Sequence, residues 1–527
     1  MPLVNIKTMS KRIKNARANK LLWESHLKEC YKYAMPEKET IDKHSAGEHK
    51  RNGLYDDTAM EALDRFAART QSQITPSFSK WVKFKAGSEV PEEQVEKLEE
   101  YLEEATTVLF EHLDNSNFIT QVMECYQDVA ISTACLIVEE GDGIRSHLNF
   151  RSVSLSEIIP EKTRKENIGN IWRDIKTPIR DITTIWKKAK LGEKLTQILA
   201  KDEFAEVTLQ EGVVYDEKLG KYVSMVISTE FKHILFEETL DTSPFIAFRE
   251  SAVSGETLGR GRIMRKLPSI KLLNKIVEIY VKGGATAVSP VYTAVDDGIV
   301  NPDHFSFAPN SINTVESNDN TNPSIRALMT GGDPQLANLV IKDLQNSIKN
   351  FMLAEPFGQV DTQPQRTAFE MGIRDEESKE MRSASFGRIQ SEFLEPLIAR
   401  IVDILKKNGK IADFKVDGKE VKLQFMSPAS KARDRDEVEN LVEFAQVLQQ
   451  TVPPEVLAQT IKFDEVPSGI ADLMGIPKKY INSKAEIAQA QQAQQAQMRQ
   501  MQQMEAEGEG MKAEAVATGQ QGAENAQ

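Results

Sequence analysis

Apolar residues recur at helical spacing through the first quarter of the chain. Residues 10–35 read as a helix stopped by Pro36, after Tyr31-Lys32-Tyr33-Ala34-Met35, because the residue before a proline is pushed out of helical geometry. Residues 37–52 are polar and predict a loop. Ala59, Leu63, Phe66, Ala67 and Thr70 then recur every three or four positions up to Thr75-Pro76, which marks one buried helix face. A charged helix is expected from about Glu92 to His112, and a more apolar one from about Phe118 to Ala130. The period then changes. Leu136-Ile137-Val138 and residues 153–159 read as strands. Residues 207–227 read as a hairpin, with Val213, Val214 and Tyr215 facing Tyr222, Val223 and Met225. These segments predict an α+β N-terminal body.

Two further stripes occupy the middle of the chain. Ile263, Leu267, Ile270, Leu273, Val277 and Tyr280 form one, ending at Gly283-Gly284; Leu336, Val340, Leu344, Ile348 and Phe351 form the other. Residues 285–333 lie between them, rich in Pro, Asn, Asp, Ser and Gly. They include a strand-like run at 291–295 and an Asp296-Asp297-Gly298 turn. That insertion is too long for an ordinary connection and predicts a small lobe. After the second stripe, Pro356, Gly358 and Pro364 break helical continuity. Thr367 and Glu370 fit a capping box that starts a long helix to about Lys407, with Gly387 and Pro396 predicting a kink. Phe414 and Val416 against Val421, Leu423 and Phe425 read as a hairpin across Asp417-Gly418. A helix over 430–450 follows. The Gln/Ala/Met-rich residues 485–505 favour helix, and 508–527 have the composition of a disordered tail.

The length of 527 residues suggests three or four lobes, and 40% hydrophobic content is enough to fill their cores. Residues 1–20 are polar and basic, so no secretory leader is expected. The longest apolar run, 129–138, is interrupted by Ser132 and Thr133 and is too short to span a bilayer. Cys30, Cys125 and Cys135 are odd in number and lack CxxC spacing, which predicts reduced, intracellular folding. The net charge of −13 argues against tight DNA binding. It is compatible with a surface along which DNA must slide.

Motifs for chemistry are absent. There is no G-x-x-x-x-G-K-[ST] loop, no H-E-x-x-H and no G-x-S-x-G. Gly259-Arg260-Gly261 begins like a dinucleotide fingerprint, but Met264 stands at the third glycine position. His44 and His49, the closest histidines, lie in a polar loop with no plausible ligand partners. No catalytic residue, metal site or cofactor is expected.

An ordered set of motifs resembles the portal, or head-to-tail connector, proteins of short-tailed double-stranded-DNA phages (podoviruses). It comprises Trp23, Cys30-Tyr31-Lys32-Tyr33 with Pro36, Tyr55-Asp56-Asp57-Thr58-Ala59, Ala62, Ala67, Gln71, Thr75-Pro76 and Trp81. It continues with Ser116-Asn117-Phe118, Gly259-Arg260-Gly261, Leu267-Pro268, Lys271, Leu273-Asn274 and Thr367-Ala368-Phe369-Glu370. Ser132-Thr133-Ala134 and Arg262 depart from the family pattern. The resemblance implies a mainly helical α+β subunit of a cyclic ring of about twelve copies. Residues 1–260 would be the wing, 261–284 the first stem helix, 285–333 the clip and 334–354 the second stem helix. Residues 355–366 would be the tunnel loop and 367–426 the long kinked wing helix and hairpin. Residues 427–484 would form C-terminal wing and crown helices, and 485–527 a crown extension and tail.

The implied role is a non-enzymatic DNA conduit at one capsid vertex, assembled in the host cytoplasm, for DNA packaging, retention and ejection. Its partners would be double-stranded DNA in transit, the terminase motor, capsid and scaffolding proteins and tail adaptor proteins, with no membrane. Candidate tunnel-loop residues are Glu355, Pro356, Phe357, Gly358, Gln359, Val360, Asp361, Thr362, Gln363, Pro364, Gln365 and Arg366. Lys271, Lys275 and Lys282 share one helical side, as do Lys342 and Lys349. They are candidates for channel-facing contacts to phosphates, against the alternative of a solvated polar face. The competing functions are a DNA-processing enzyme, such as a terminase or nuclease subunit, and another virion component, such as a tail adaptor.

Overall fold

The side chain of Asn5 accepts a hydrogen bond from the backbone N–H of Lys7 at 3.0 Å and opens the first helix, α1, Ile6–Ala34. The helix ends one residue before Met35-Pro36, as the proline requires. In this computed structural model the described residues are 4–38, 52–161, 168–288, 292–294, 315–317, 319–321, 323–327, 334–352, 387–412, 414, 416, 419–426 and 444. All but Phe444 belong to one unit spanning 1–429.

The two ends of α1 serve different cores. Met9, Ile13 and Ala16 cover one face of a five-stranded antiparallel sheet, packing with Ile159, Trp172, Val214, Val223, Met225 and Ile227. That sheet runs in the order β4 (Ile158–Glu161), β5 (Asn170–Pro178), β6 (Glu206–Asp216), β7 (Lys221–Ser228) and β8 (His233–Leu240). Its other face is covered by Ile179, Ile182 and Leu195, from a short turn and the helices α5 (Ile182–Ile185) and α6 (Glu193–Lys201). The expected hairpin is β6–β7, with Tyr215 opposite Tyr222 and Val214 opposite Val223. Gly212 sits opposite Trp172, where a Cβ would lie 2.3 Å from the indole ring. Only glycine lets that ring lie flat on its neighbour.

The other end of α1 enters the main core. Leu27, Cys30, Tyr31 and Ala34 pack with α2 (Thr58–Ile74), α3 (Glu92–Asp114) and α4 (Phe118–Ile131). These helices cover a three-stranded antiparallel sheet in the order β3 (Leu148–Ser152), β2 (Thr133–Glu140) and β9 (Phe245–Arg249). Residues 133–138 of β2 are all buried, so the strand reads as a continuous apolar run rather than an alternation. Residues 153–157, expected as strand, form the turn between β3 and β4. Asp128 is buried in this core, accepting from the Tyr31 hydroxyl at 3.0 Å and from Lys38 Nζ at 2.6 Å. Burial raises its carboxyl above the ordinary value, outweighing the pull of Lys38 in the other direction.

Two long-range links close the unit. The strand β1 (Val82–Ala86) pairs antiparallel with Val421–Phe425, placing Val82 opposite Phe425. Phe414 packs its ring on Phe84 and Tyr101, and the turn of the expected hairpin, Asp417-Gly418, lies outside the described residues. Helical residues 387–407 pass through a π turn at Gln390–Leu394 before the helix Glu395–Lys407. The π turn is the form taken by the irregularity expected at Pro396. Its ring would clash with the carbonyl of Glu392, and a widened turn relieves that clash. Glu392 in this turn holds the buried Arg249 guanidinium at 2.7 Å, and Phe393 stacks on Phe248.

Candidate functional site

The helix α7 (Arg262–Val288) leaves the main core as an element about 40 Å long. Its start is set by close backbone approach. A Cβ on Gly261 would lie 2.2 Å from the Ala130 carbonyl oxygen. The backbone of Gly259 accepts from Ser132 Oγ and donates to Thr133 Oγ1. The Gly-Arg-Gly triplet is thus a packing motif, and Ser132-Thr133 supplies its hydrogen bonds.

The first four stripe residues, Ile263, Leu267, Ile270 and Leu273, are buried, whereas Tyr280 is exposed. The helix does not stop at Gly283-Gly284 but runs on to Val288. The antiparallel partner α8 (Pro334–Phe351) buries Ile341, Ile348 and the following Met352. Leu336 and Phe351 of the expected stripe are exposed. Asn274 pins the hairpin to the body. Its side chain accepts from the N–H groups of Tyr55 and Asp56 and donates to the Gly53 carbonyl, at 2.8, 3.3 and 3.1 Å. Gln345 of α8 donates to Asp56 at 2.9 Å. The Tyr55-Asp56 and Leu273-Asn274 motifs, over two hundred residues apart in sequence, therefore meet.

Four of the five candidate lysines are neutralised within the protomer. Lys271 pairs with Glu29 at 2.9 Å, and Lys349 with Glu61 at 3.4 Å. Lys275 and Lys282 converge on Glu278 at 3.0 and 2.6 Å, and the hydrogen bonds from Lys282 and Lys275 hold that carboxyl below its ordinary value. Lys342 is exposed, with no ion-pair partner among the described residues. The candidate tunnel loop 355–366, the Thr367/Glu370 capping box and most of 285–333 lie outside the described residues. So do His44, His49, the Asp417-Gly418 turn, and the predicted helix and tail beyond 430 apart from Phe444.

At the base of the hairpin the sequence reading missed a cationic cleft of about 840 Å³ between α7, α8 and the turn after β9. Five cationic and two anionic side chains line it. Arg262 pairs with Glu250 at 2.7 Å, Arg260 with Glu256 at 2.6 Å and Arg388 with Glu392 at 3.2 Å. Arg265 and Lys266 differ. Their partners are hydroxyls, Ser251 for Arg265 and Ser347 for Lys266, and Lys266 also lies 5.7 Å from the centre of the Phe351 ring. The signal in the sequence was four cations within residues 260–266.

Among the described residues, no group of three or more His, Cys, Asp or Glu side chains could hold a metal ion. Nor is any described helix long and apolar enough to cross a membrane. The three cysteines are buried free thiols, and burial pushes Cys30 and Cys125 up to about 12, which suits packing rather than nucleophilic attack.

Comparison with known proteins agrees with this construction. The family described as bacteriophage head to tail connecting protein matches residues 6–481. A curated relative, the "Probable portal protein" of Bordetella phage BPP-1, is 22% identical over 504 residues, covering 90% of this chain and 88% of its own length. The family match spans both the α+β body and the helical hairpin, and the chain belongs to the bacteriophage head-to-tail connecting proteins, a structural connector family with portal function.

Proposed function

We propose that the chain is one subunit of a ring of about twelve copies that forms the DNA channel at one capsid vertex. The body up to 260 would be the wing. The helices α7 and α8 would be the stem, and residues 285–333 the clip that docks the terminase motor and then the tail adaptors. Residues 355–366 would line the channel as a tunnel loop, and the C-terminal helices would form the crown. Double-stranded DNA would pass during packaging and ejection, and capsid and scaffolding proteins would seat the ring at the head–tail junction.

One observation carries this reading: a long helical hairpin is pinned at its base to an α+β body yet exposes apolar side chains toward its tip. Ile279 and Val281 on α7, and Leu336 and Leu339 on α8, are each more than half exposed. A closed cyclic assembly gives such a surface a partner. Negative-stain microscopy and mass photometry of the purified full chain test the proposal. Closed rings are the expected result. Monomers under every assembly condition, and in extracts of infected cells, would overturn it.

A further inference from the structure

We propose that the cleft at the base of the α7–α8 hairpin binds phosphate groups of the DNA backbone, with Arg265 and Lys266 as its principal donors. The proposal rests on the channel reading above and names the DNA-contacting residues within it. Of the cations lining this cleft, Arg265 and Lys266 are the two whose described partners are neutral hydroxyls rather than carboxylates. An uncompensated cation keeps its full attraction for an incoming anion, whereas Lys271, Lys275, Lys282 and Lys349 must first leave a carboxylate.

The donor set is also of the right kind. A guanidinium and an ammonium from α7 stand near the side-chain amides of Asn346 and Asn350 on α8 across an open cleft. A tetrahedral phosphate, with its several oxygens, can accept from both walls at once. The lining also contains two carboxylates, Glu250, engaged by Arg262 at 2.7 Å, and the exposed Asp343. Asp343 opposes anion binding and keeps the contact weak. Two cleft cations per subunit without a carboxylate partner among the described residues, on a chain of net charge −13, would brake passing DNA without gripping it.

The experiment measures binding of a short fluorescent duplex to the full chain by anisotropy across a salt series, with assembly followed in parallel by mass photometry. The wild type should bind more weakly as salt rises. Arg265→Gln/Lys266→Gln should lower affinity by about tenfold or more at low salt. It should also flatten the salt dependence, by a log–log slope of about 0.9 for each phosphate that is no longer neutralised. Asp343→Asn should shift affinity the opposite way, and Lys271→Gln/Lys275→Gln should leave it near wild type. Inorganic phosphate at millimolar concentration should compete in the wild type and not in the Arg265/Lys266 variant.

An Arg265/Lys266 variant that binds duplex as the wild type does overturns the proposal. So does one that loses ring assembly while keeping its DNA affinity, since that assigns the cleft to a carboxylate of a neighbouring copy. Absence of rings in the wild type, with the salt-dependent loss still present in the variant, faults the channel reading alone. Both substitutions lie at the protein surface, and the opposite sign expected for Asp343→Asn guards against a folding artefact.

Discussion

The base and the tip of the α7–α8 hairpin belong to the same two helices, yet they satisfy their side chains in opposite ways. At the base Leu273 is 1% exposed and Ile348 fully buried, and the Asn274 amide is matched by backbone groups of the same protomer. At the tip Ile279 is 59% and Leu339 68% exposed. Lysines there are held in pairs along the helix, while leucines and isoleucines face outward. The apolar side chains of the base are covered by their own chain; those of the tip are not. The stripes alone do not explain the contrast, because Ile279 and Leu339 lie off them, next to the stripe positions Tyr280 and Val340.

The largest expected effect breaks the base. Leu273→Ala removes a fully packed side chain from the main core and should cost about 2–5 kcal/mol of stability. The check is the urea midpoint of the unassembled protomer. A change below about 1 kcal/mol would mean that the base is not anchored as described.

Next comes a buried charge on the body side. Lys20 is 8% exposed and donates to the Ser156 carbonyl, and burial pushes its ammonium from the ordinary 10.5 down to about 8. Between those values the unfolded chain holds a proton that the folded chain has released, so stability should rise with pH across that window. The full gain is on the order of 3 kcal/mol. Lys20→Met should flatten the rise, as read from urea midpoints at pH 8 and pH 10. An equally steep rise in the variant would assign it to other groups.

The third concerns the pin. Asn274→Ala leaves the Tyr55 and Asp56 N–H groups and the Gly53 carbonyl without their side-chain partner, at a cost of about 1–3 kcal/mol. Hydrogen exchange should quicken at residues 53–57 and leave the five-stranded sheet unchanged. Uniform quickening across both would show that Asn274 supports the whole unit rather than this junction.

Much of this contrast was legible in the sequence. The stripes located α2, α4, α7 and α8, and alternation located the β6–β7 hairpin, because those signals are local. Three features were not legible there. The partner of β1 lies more than three hundred residues away, and nothing in 421–425 names it over the nearby Phe414. The run of α7 past Gly283-Gly284 requires only that neither glycine be strained, and at both positions a Cβ would meet open space. Helical phase groups the basic side chains but ignores who neutralises whom. Phase grouped Lys275 with Lys282 but could not show that Glu278 holds both.

The smallest effect on the protomer is expected at the tip, where the same change should matter most to assembly. Ile279→Ser, Leu336→Ser and Leu339→Ser replace exposed side chains, so each should alter protomer stability by no more than about 0.5 kcal/mol. If these residues are covered by a neighbouring copy, each loses about 1–2 kcal/mol of burial on assembly. Together the three should weaken association at each subunit contact by at least about a hundredfold. Mass photometry across a dilution series should then show protomers at concentrations where the wild type is assembled, with unchanged urea midpoints. The pairing of intact fold with lost assembly is the informative result, because a base substitution such as Leu273→Ala changes both. If the triple variant assembles as the wild type does, the exposed leucines are not the contact between copies, and the tip must be covered by a different partner.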